Sequence, residues 1–559
     1  MQDRKTSLGP PSRRELMVGG GATALALAGG TGFARRPNVA SGTVFEDRSG
    51  TGKRQPTDRG IAGVLVSNGR DVTVTDADGR WRLSVADGDS LFVIKPSHWA
   101  TPVRACGVPH FSYEHAPQGS PPDHRYPGID PTGELPTSVD FALVRREESA
   151  RFDAILLSDT QPENDVELGY LRDEVMAGLI GSPAAFAINH GDVVADDLSL
   201  YPRYLQLTGA TGITWHHCPG NHDANTDAAD DGSSRETWKR FFGPRHYAFQ
   251  YAETTFVLLD NVYHFGRGMS SNGASYVGRV GEHQLRFVRN LLAHINREQL
   301  VVVSMHIPLV SHQDSSSPSD CTIDRRALLE LLSGHRHTVS FAGHMHTTQH
   351  HYLGSEEGFA GPDPHHHHVL TAASGSWWCG PRDRNGTPCA DSIDGTPNGF
   401  HLLSVEGNNY TTRLVPAFSK SSSQIRVMVD GPHRRIAAHR QSSMPIRLVD
   451  DCEIIANVFD GGPRTSCTCE IIGSGTGPLP MHRTLARDPF INELFARQGA
   501  VRKPWVEAAS STHLWKTPVP AGLKSGAYSV RVRAVDEYGR QHVANTVLEI
   551  AATGASAAT

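Results

Sequence analysis

Five short segments of the chain concentrate oxygen and nitrogen donors: Ser158-Asp159-Thr160-Gln161, Gly191-Asp192, Gly220-Asn221-His222-Asp223, Met305-His306 and Gly343-His344-Met345-His346. Two carboxylates (Asp159, Asp192), one amide (Asn221) and three imidazoles (His306, His344, His346) form a mixed donor set. Such a set suits divalent first-row metals such as Mn, Fe, Co, Ni or Zn. It contains no thiolate, which argues against a structural zinc site. Six donors exceed what one ion usually takes, so two ions are expected, with a carboxylate such as Asp192 bridging them. Two ions about 3.5–4 Å apart can clamp both the attacking and the leaving oxygen of an in-line displacement. Any one of these segments alone would be ordinary turn chemistry. Five of them in one chain, each behind an apolar run, call for a common cause.

The elements that must position these residues can be read from the same sequence. Ala154-Ile155-Leu156-Leu157, Ala184 to Asn189, Gly212 to His217, Thr255 to Asp260, Leu300 to Ser304 and Thr338 to Ala342 read as strands, continuous apolar runs in several cases, as expected of strands buried on both faces. Val166 to Ile180, Gln284 to His294 and Arg325 to Leu332 have helical spacing. Strands alternating with helices predict an α/β layered domain. In such sheets, sites form at the carboxyl ends of strands, which is where the five segments fall. Glycines at the turns let side chains be aimed inward.

In their order, the five segments resemble the calcineurin-like metallophosphoesterases, whose pattern is Asp-x-His, Gly-Asp, Gly-Asn-His-Asp/Glu, His, Gly-His-x-His. The resemblance covers about residues 150 to 350. It implies a layered αββα core and hydrolysis of a phosphate ester by a metal-bridging hydroxide. It also implies that Asp159 and His346 bind a first metal, that Asp192 bridges, and that Asn221, His306 and His344 bind a second. His222 would contact the phosphate and act as general acid, with Asp223 orienting it. One position departs from the pattern: Gln161 stands where the family has a histidine, offering an amide oxygen to the first metal in place of an imidazole. The segments Ser374-Gly375-Ser376-Trp377-Trp378 and Asp394 to Phe400 extend the resemblance to bacterial members carrying β domains at both ends. The rival reading is a catalytically weak or inactive envelope-binding protein that keeps the phosphoesterase fold.

Several other residues invite chemistry. His365 to His368 reads as an edge strand with alternate imidazoles facing the site or solvent. Trp377 and Trp378 suit either a substrate platform or packing. Asp196 and Asp197 read as a solvated loop, and one of His216 and His217 is expected to pack beside the site.

The flanks read differently from the centre. From about 40 to 145, short strands with Asn68-Gly69 and Asp78-Gly79 turns predict a small sandwich. One of them is expected from Ile61 to Gly69. His115 to Pro136 is rich in Pro, Gly and Asp and is expected to wrap the surface. Ser419 to Ser423 is a polar linker, and strands are expected again at Gln424–Val429, Asp451–Phe459, Tyr528–Val535 and Val543–Ile550.

At 559 residues the chain needs two to four domains. With a net charge of -6 and no Lys/Arg stripe, nothing marks a nucleic-acid surface. No apolar run past the N-terminus is long enough to span a bilayer. Ser12-Arg13-Arg14-Glu15-Leu16-Met17, a weakly apolar stretch from Val18 to Ala28 and small residues to Ala34 read as a twin-arginine signal. Export through the twin-arginine machinery to the periplasm, envelope or medium is therefore expected. Eight cysteines do not make a disulfide scaffold, although Cys379 and Cys389 flank a turn across which a bridge can form. The expected architecture is a signal peptide at 1–34, an N-terminal β-sandwich at 35–148, an α/β catalytic domain at 149–418 and a C-terminal β domain at 419–552. A phosphate ester is the expected substrate.

Overall fold

Two mixed β-sheets lie face to face at the centre of the computed structural model, which describes residues 38–270, 275–417, 423–431, 443–445, 452–497, 499–501 and 503–551. The first sheet runs in the order Trp215–His217, Phe186–Asn189, Arg151–Leu157, Gly399–Glu406, Asn409–Pro416. Its first three strands are parallel, and the last two form a hairpin added antiparallel to Arg151–Leu157. The second sheet runs Tyr247–Tyr251, Thr254–Leu258, Leu300–Ser304, His337–Ala342, His365–Val369, Gln349–Leu353. Four of its strands are parallel, and both edges are closed by antiparallel partners.

The period of two along a strand assigns each side chain to a layer. Ala154 and Leu156 enter the core between the sheets, with Phe186, Ile188, Phe256 and Phe341. Ile155 and Leu157 point the other way, into a second core with Leu168 and Leu171 of the helix Asp165–Glu174 and Tyr201, Tyr204 and Leu205 of the helix Tyr201–Ala210. On the outer face of the second sheet, the helix Gly281–Leu292 buries Leu285, Val288, Leu291 and Leu292 along one stripe, and Arg325–Leu332 buries Leu328, Leu329 and Leu332. The result is the layered αββα core.

Both flanks are β-rich. On the N-terminal side are two four-stranded sheets, one containing Asn38–Glu46, Arg80–Val85, Trp99–Ala100 and Phe141–Arg145, the other Leu65–Ser67, Val72–Val74, Ser90–Ile94 and Ser112–Glu114. Their hydrophobic residues continue into the central core, where Phe92 meets Phe287 at 5.7 Å and Phe111 meets Tyr247 at 4.8 Å. On the C-terminal side, two sheets face each other over Ile454, Ala456, Trp515, Val530, Val532 and Leu548.

Four expectations need adjusting. The strand expected over Ile61–Gly69 shortens to Leu65–Ser67. The run His365–His368 is not an edge strand. It lies between His337–Ala342 and Gln349–Leu353, and all four imidazoles are buried. The run itself is polar in type, and its outer neighbour Gln349–Leu353 has no apolar run, which is why the sequence pattern did not reveal it. None of the eight cysteines is in a disulfide, so Cys379 and Cys389 are not bridged. The signal segment 1–34 and most of the linker at 419–423 lie outside the described residues.

Candidate metal centre

Every one of the five donor segments follows a parallel strand. Asp159, Asp192 and Asn221 follow three neighbouring strands of the first sheet, and His306 and His344 follow two neighbouring strands of the second. The carboxyl ends of both sheets therefore converge on one place. The donor atoms of Asp192, His306 and His344 lie within 4.8 Å of one another. His306 Nε2 is 2.9 Å from Asn221 Oδ1, 3.2 Å from His344 Nδ1 and 3.3 Å from Asp192 Oδ2. On the other side, Gln161 spans the two halves of its ligand group. Its amide nitrogen donates to Asp192 Oδ2 at 2.8 Å, and its oxygen lies 2.7 Å from His346 Nε2. Asp159 Oδ1 is 3.7 Å from the same His346 nitrogen and accepts from the His344 backbone.

Tight backbone turns achieve this convergence. Among the described residues, ten non-glycine residues have positive φ, and five of them are Asp159 (49°), Gln161 (35°), Asp192 (52°), His344 (71°) and His346 (52°). Asp196, Trp377 and Trp378 beside them share the feature. Left-handed backbone at non-glycine residues costs free energy and persists where the surroundings over-determine it, as at functional sites. Gly220 shows how closely the turns approach: a Cβ there would sit 2.1 Å from Asp192 Oδ1. Arg235, fully buried in a pair with Asp260, donates to the Gly220 carbonyl at 2.8 Å and pins the same turn.

The electrostatics suit cations. Burial pushes the Asp159 carboxyl up to about 7, against the pull of His306. Burial would raise Asp192 as well, but the charges of His306 and His222 hold it well below the usual carboxylate range. Burial opposes the His306 cation, yet Asp192 and Asp159 push that imidazole up to about 9. Burial lowers His344 and holds His346 down at about 3. The two buried carboxylates find only imidazoles as ion-pair partners among the described residues. Two buried carboxyls without a Lys or Arg, ringed by imidazole and amide donors, fit divalent metal ions.

The structure gives Asp223 other partners and brings further residues to the site. Among the described residues, no hydrogen bond joins Asp223 to the His222 ring. Its carboxylate accepts from the Gly220 and Val193 backbone N–H groups and from the Tyr201 hydroxyl, so it ties the Asn221 turn to the Asp192 turn. The partner of His222 is Asp196, whose Oδ1 lies 2.9 Å from Nδ1. Asp196 stands in an exposed loop, as expected, and its pairing with His222 carries no spacing signal in the sequence. Burial works against the His222 cation, but Asp192 and Asp196 outweigh it and push the imidazole up to about 9. Asp320, 3.9 Å from His344 Nε2, also escaped the sequence reading. Trp377 stacks on His346 at 3.7 Å, whereas Trp378 is core packing. His216 stacks on Phe249, and His217 packs against Phe242 and Tyr204. The loop at 115–136 reaches this rim, where the Tyr126 hydroxyl donates to Asp197.

Comparison with known proteins agrees with this geometry. Three family profiles match in sequence order: the N terminal of calcineurin-like phosphoesterase over residues 48–126, calcineurin-like phosphoesterase over 154–348, and the C terminal of calcineurin-like phosphoesterase over 367–542. No curated protein matches the chain significantly. Among solved structures, a purple acid phosphatase from yellow lupin (Lupinus luteus) seeds is similar at 12% identity, covering 69% of this chain and 67% of that one, with a TM-score of 0.36. So loose a superposition carries no argument about individual residues. The donor segments sit inside the central match, and both flanking β regions carry the family's own terminal profiles, so the chain belongs to the calcineurin-like metallophosphoesterases.

Proposed function

We propose that this protein hydrolyses phosphate esters at a dinuclear metal centre, with Asp159, Gln161, Asp192 and His346 around one ion, Asp192, Asn221, His306 and His344 around the other, and His222 as general acid. Metal-dependent phosphoester hydrolysis is the general activity of the family; the ligand division and the acid are carried over from the family's pattern onto these positions. When bound, the ions neutralise charge on the phosphoryl oxygens and lower the pKa of the attacking water. The chain's residues supply the rest. Asp192 lies between the two ligand groups, hydrogen-bonded to Gln161 on one side and 3.3 Å from His306 on the other. Asp196 engages His222 Nδ1, which leaves Nε2 to hold a proton for the leaving oxygen.

The observation that supports this reading best is a contrast in exposure. The side chains of Asp159, Asp192, His306 and His346 are 0–2% exposed and that of His344 11%, while His222 is 33% exposed. A substrate arriving from solvent meets His222 first and the ligand cluster beneath it.

The test is metal content together with hydrolysis of aryl phosphate monoesters and diesters, with Mn supplied. Wild type should turn over at least one class, and Asp192→Asn should lose about two equivalents of metal and the activity. A chain that binds no metal in excess over Asp192→Asn and turns over neither class would be the envelope-binding protein of the rival reading. We also propose export by the twin-arginine route. Replacing Arg13 and Arg14 by Lys should leave an uncleaved precursor in the cytoplasm, and normal export of that variant would refute the route.

A further inference from the structure

A second group of metal-binding side chains lies away from the catalytic residues and shares none of them. His350 and His368 are directly paired across two adjacent strands of the second central sheet. Their rings stack at 4.0 Å. His401 lies on the first sheet, its ring edge-on to His368 at 4.9 Å. The fourth member is Asp460, which follows the strand Glu453–Val458 of the C-terminal β region. All four are buried, His350, His368 and His401 completely.

Three imidazole nitrogens surround one carboxylate oxygen. Asp460 Oδ1 lies 3.2 Å from His350 Nε2, 3.1 Å from His368 Nε2 and 3.3 Å from His401 Nε2. Only the contact to His350 has hydrogen-bond geometry. His368 Nε2, both nitrogens of His401 and Asp460 Oδ2 are buried with no hydrogen-bond partner. Four unpartnered polar atoms in one buried cluster are a large uncompensated cost for a native interior. Donors bound to one tetrahedral zinc ion at about 2.0–2.1 Å stand about 3.3 Å from one another. The three distances to Asp460 Oδ1 fall at that separation, and the donor atoms of His350, His368 and Asp460 lie within 4.8 Å of one another, with His401 beside that trio.

The surroundings orient the rings as they do at metal sites. His350 Nδ1 is 2.9 Å from His366 Nε2, and His366 Nδ1 is 2.8 Å from the Tyr410 hydroxyl. His368 Nδ1 is 3.4 Å from Thr412 Oγ1, itself 2.8 Å from the Tyr538 hydroxyl. Engaging Nδ1 in this way fixes the ring and frees Nε2 as the ligand atom. The Asp460 loop is pressed onto the sheet: a Cβ on Gly462 would come 2.7 Å from the His350 Cβ.

We propose that His350, His368 and Asp460, with His401 beside them, form a third metal site, which holds a divalent first-row ion such as zinc and staples the C-terminal β region to the central sheets. Imidazole nitrogens with a carboxylate oxygen suit such an ion, and their burial where three sheets meet suits a structural role rather than a catalytic one. Because metal binding is coupled to folding, the ion stabilises the junction among all three pieces.

The test uses the full chain carrying Asp192→Asn, His222→Ala, His306→Ala and His344→Ala, which leaves His346 as the catalytic centre's last imidazole. Loaded with zinc alone and desalted, this protein should retain one equivalent, and zinc X-ray absorption should report at least two imidazole ligands and no sulfur. Adding Asp460→Asn or His368→Gln should remove that equivalent and lower the melting temperature. Retention of no zinc, fewer than two imidazoles in the absorption spectrum, or zinc that persists in folded Asp460→Asn and His368→Gln proteins would each overturn the site. Should those added variants not fold, the absorption spectrum of the parent decides by itself. Because the catalytic centre keeps one imidazole and the spectrum requires two, the result does not depend on the function proposed above.

Discussion

His222 is the most exposed of the site's motif residues and the one whose neighbours differ most from expectation. Its ring is held by Asp196, not by the carboxylate next to it in sequence. His222→Ala should cut turnover of poor-leaving-group substrates by about 10²–10⁴, and less for nitrophenyl esters, because general acid catalysis matters least when the leaving oxygen is already stable. Asp196→Asn should give the same leaving-group pattern at a smaller loss, roughly tenfold, with metal content unchanged. Equal losses for good and poor leaving groups would make His222 a phosphate binder only. Gln161 is the other residue that decides something. Its amide joins Asp192 to His346. An amide oxygen donates less strongly to first-row ions than an imidazole does, so the first metal should leave first on dialysis, and Gln161→His should tighten that site. Metal titration of both proteins in one buffer checks this, and identical affinities would remove position 161 from the ligand set.

At the level of the element, the helix Asp165–Glu174 is held by its ends as well as by its apolar face. Asn164 caps it by accepting from Val166 and Glu167 N–H groups. At the far end, Glu174 is buried, with Oε2 accepting from Asn398 at 3.0 Å and Oε1 unpartnered. Burial pushes this carboxyl up from an ordinary value of 4.5 to about 9. Below the ordinary value both folded and unfolded chains carry the proton, and the group is neutral to stability. Between there and about 9 the unfolded chain ionises first, so the protein loses stability as pH rises, by about 1.4 kcal/mol per unit at most. Glu174→Gln removes the titration. Its stability relative to wild type should therefore grow between pH 5 and pH 8 in urea melts, and an unchanged difference at the two pH values would refute the buried neutral carboxyl.

At the scale of the molecule, the flanking β regions share core and polar contacts with the centre. The N-terminal sheets feed the same hydrophobic core as the central sheets. The C-terminal region is tied by Asp394 to His513 at 2.9 Å, by Arg426 to Asp391 at 2.6 Å and by Lys503 to Glu167 at 2.9 Å. From Asn38 onward the chain forms one compact unit. Calorimetry of the full chain should show one cooperative transition, and a chain ending before residue 419 should lose it, because removing the C-terminal region exposes Asp394 and the His350–His368 pair. Two resolved transitions, or a truncated chain that melts cooperatively, would show that the pieces fold independently.

The apolar runs 154–157, 300–304 and 338–342 and the donors that follow them were enough, by themselves, to place a strand and a metal-binding turn at each point. Residue type, spacing and order carry that information locally, since a strand buried on both faces must be apolar and the turn after it must supply the donors. The helices expected at 166–180, 284–294 and 325–332 were legible for the same reason, through their period, although the first ends at Glu174 and continues only as a 3-10 turn at Met176–Leu179. What the sequence did not carry are the contacts between segments far apart along the chain. The pairing of Asp196 with His222 spans 26 residues and that of Asp460 with His350 spans 110. The interior position of His365–Val369 depends on its outer neighbour Gln349–Leu353, which carries no apolar signature of its own. Hydrogen-bond partners and burial are decided by which surfaces meet when the layers close, and an acidic residue carries no sign in sequence of the distant partner it will meet.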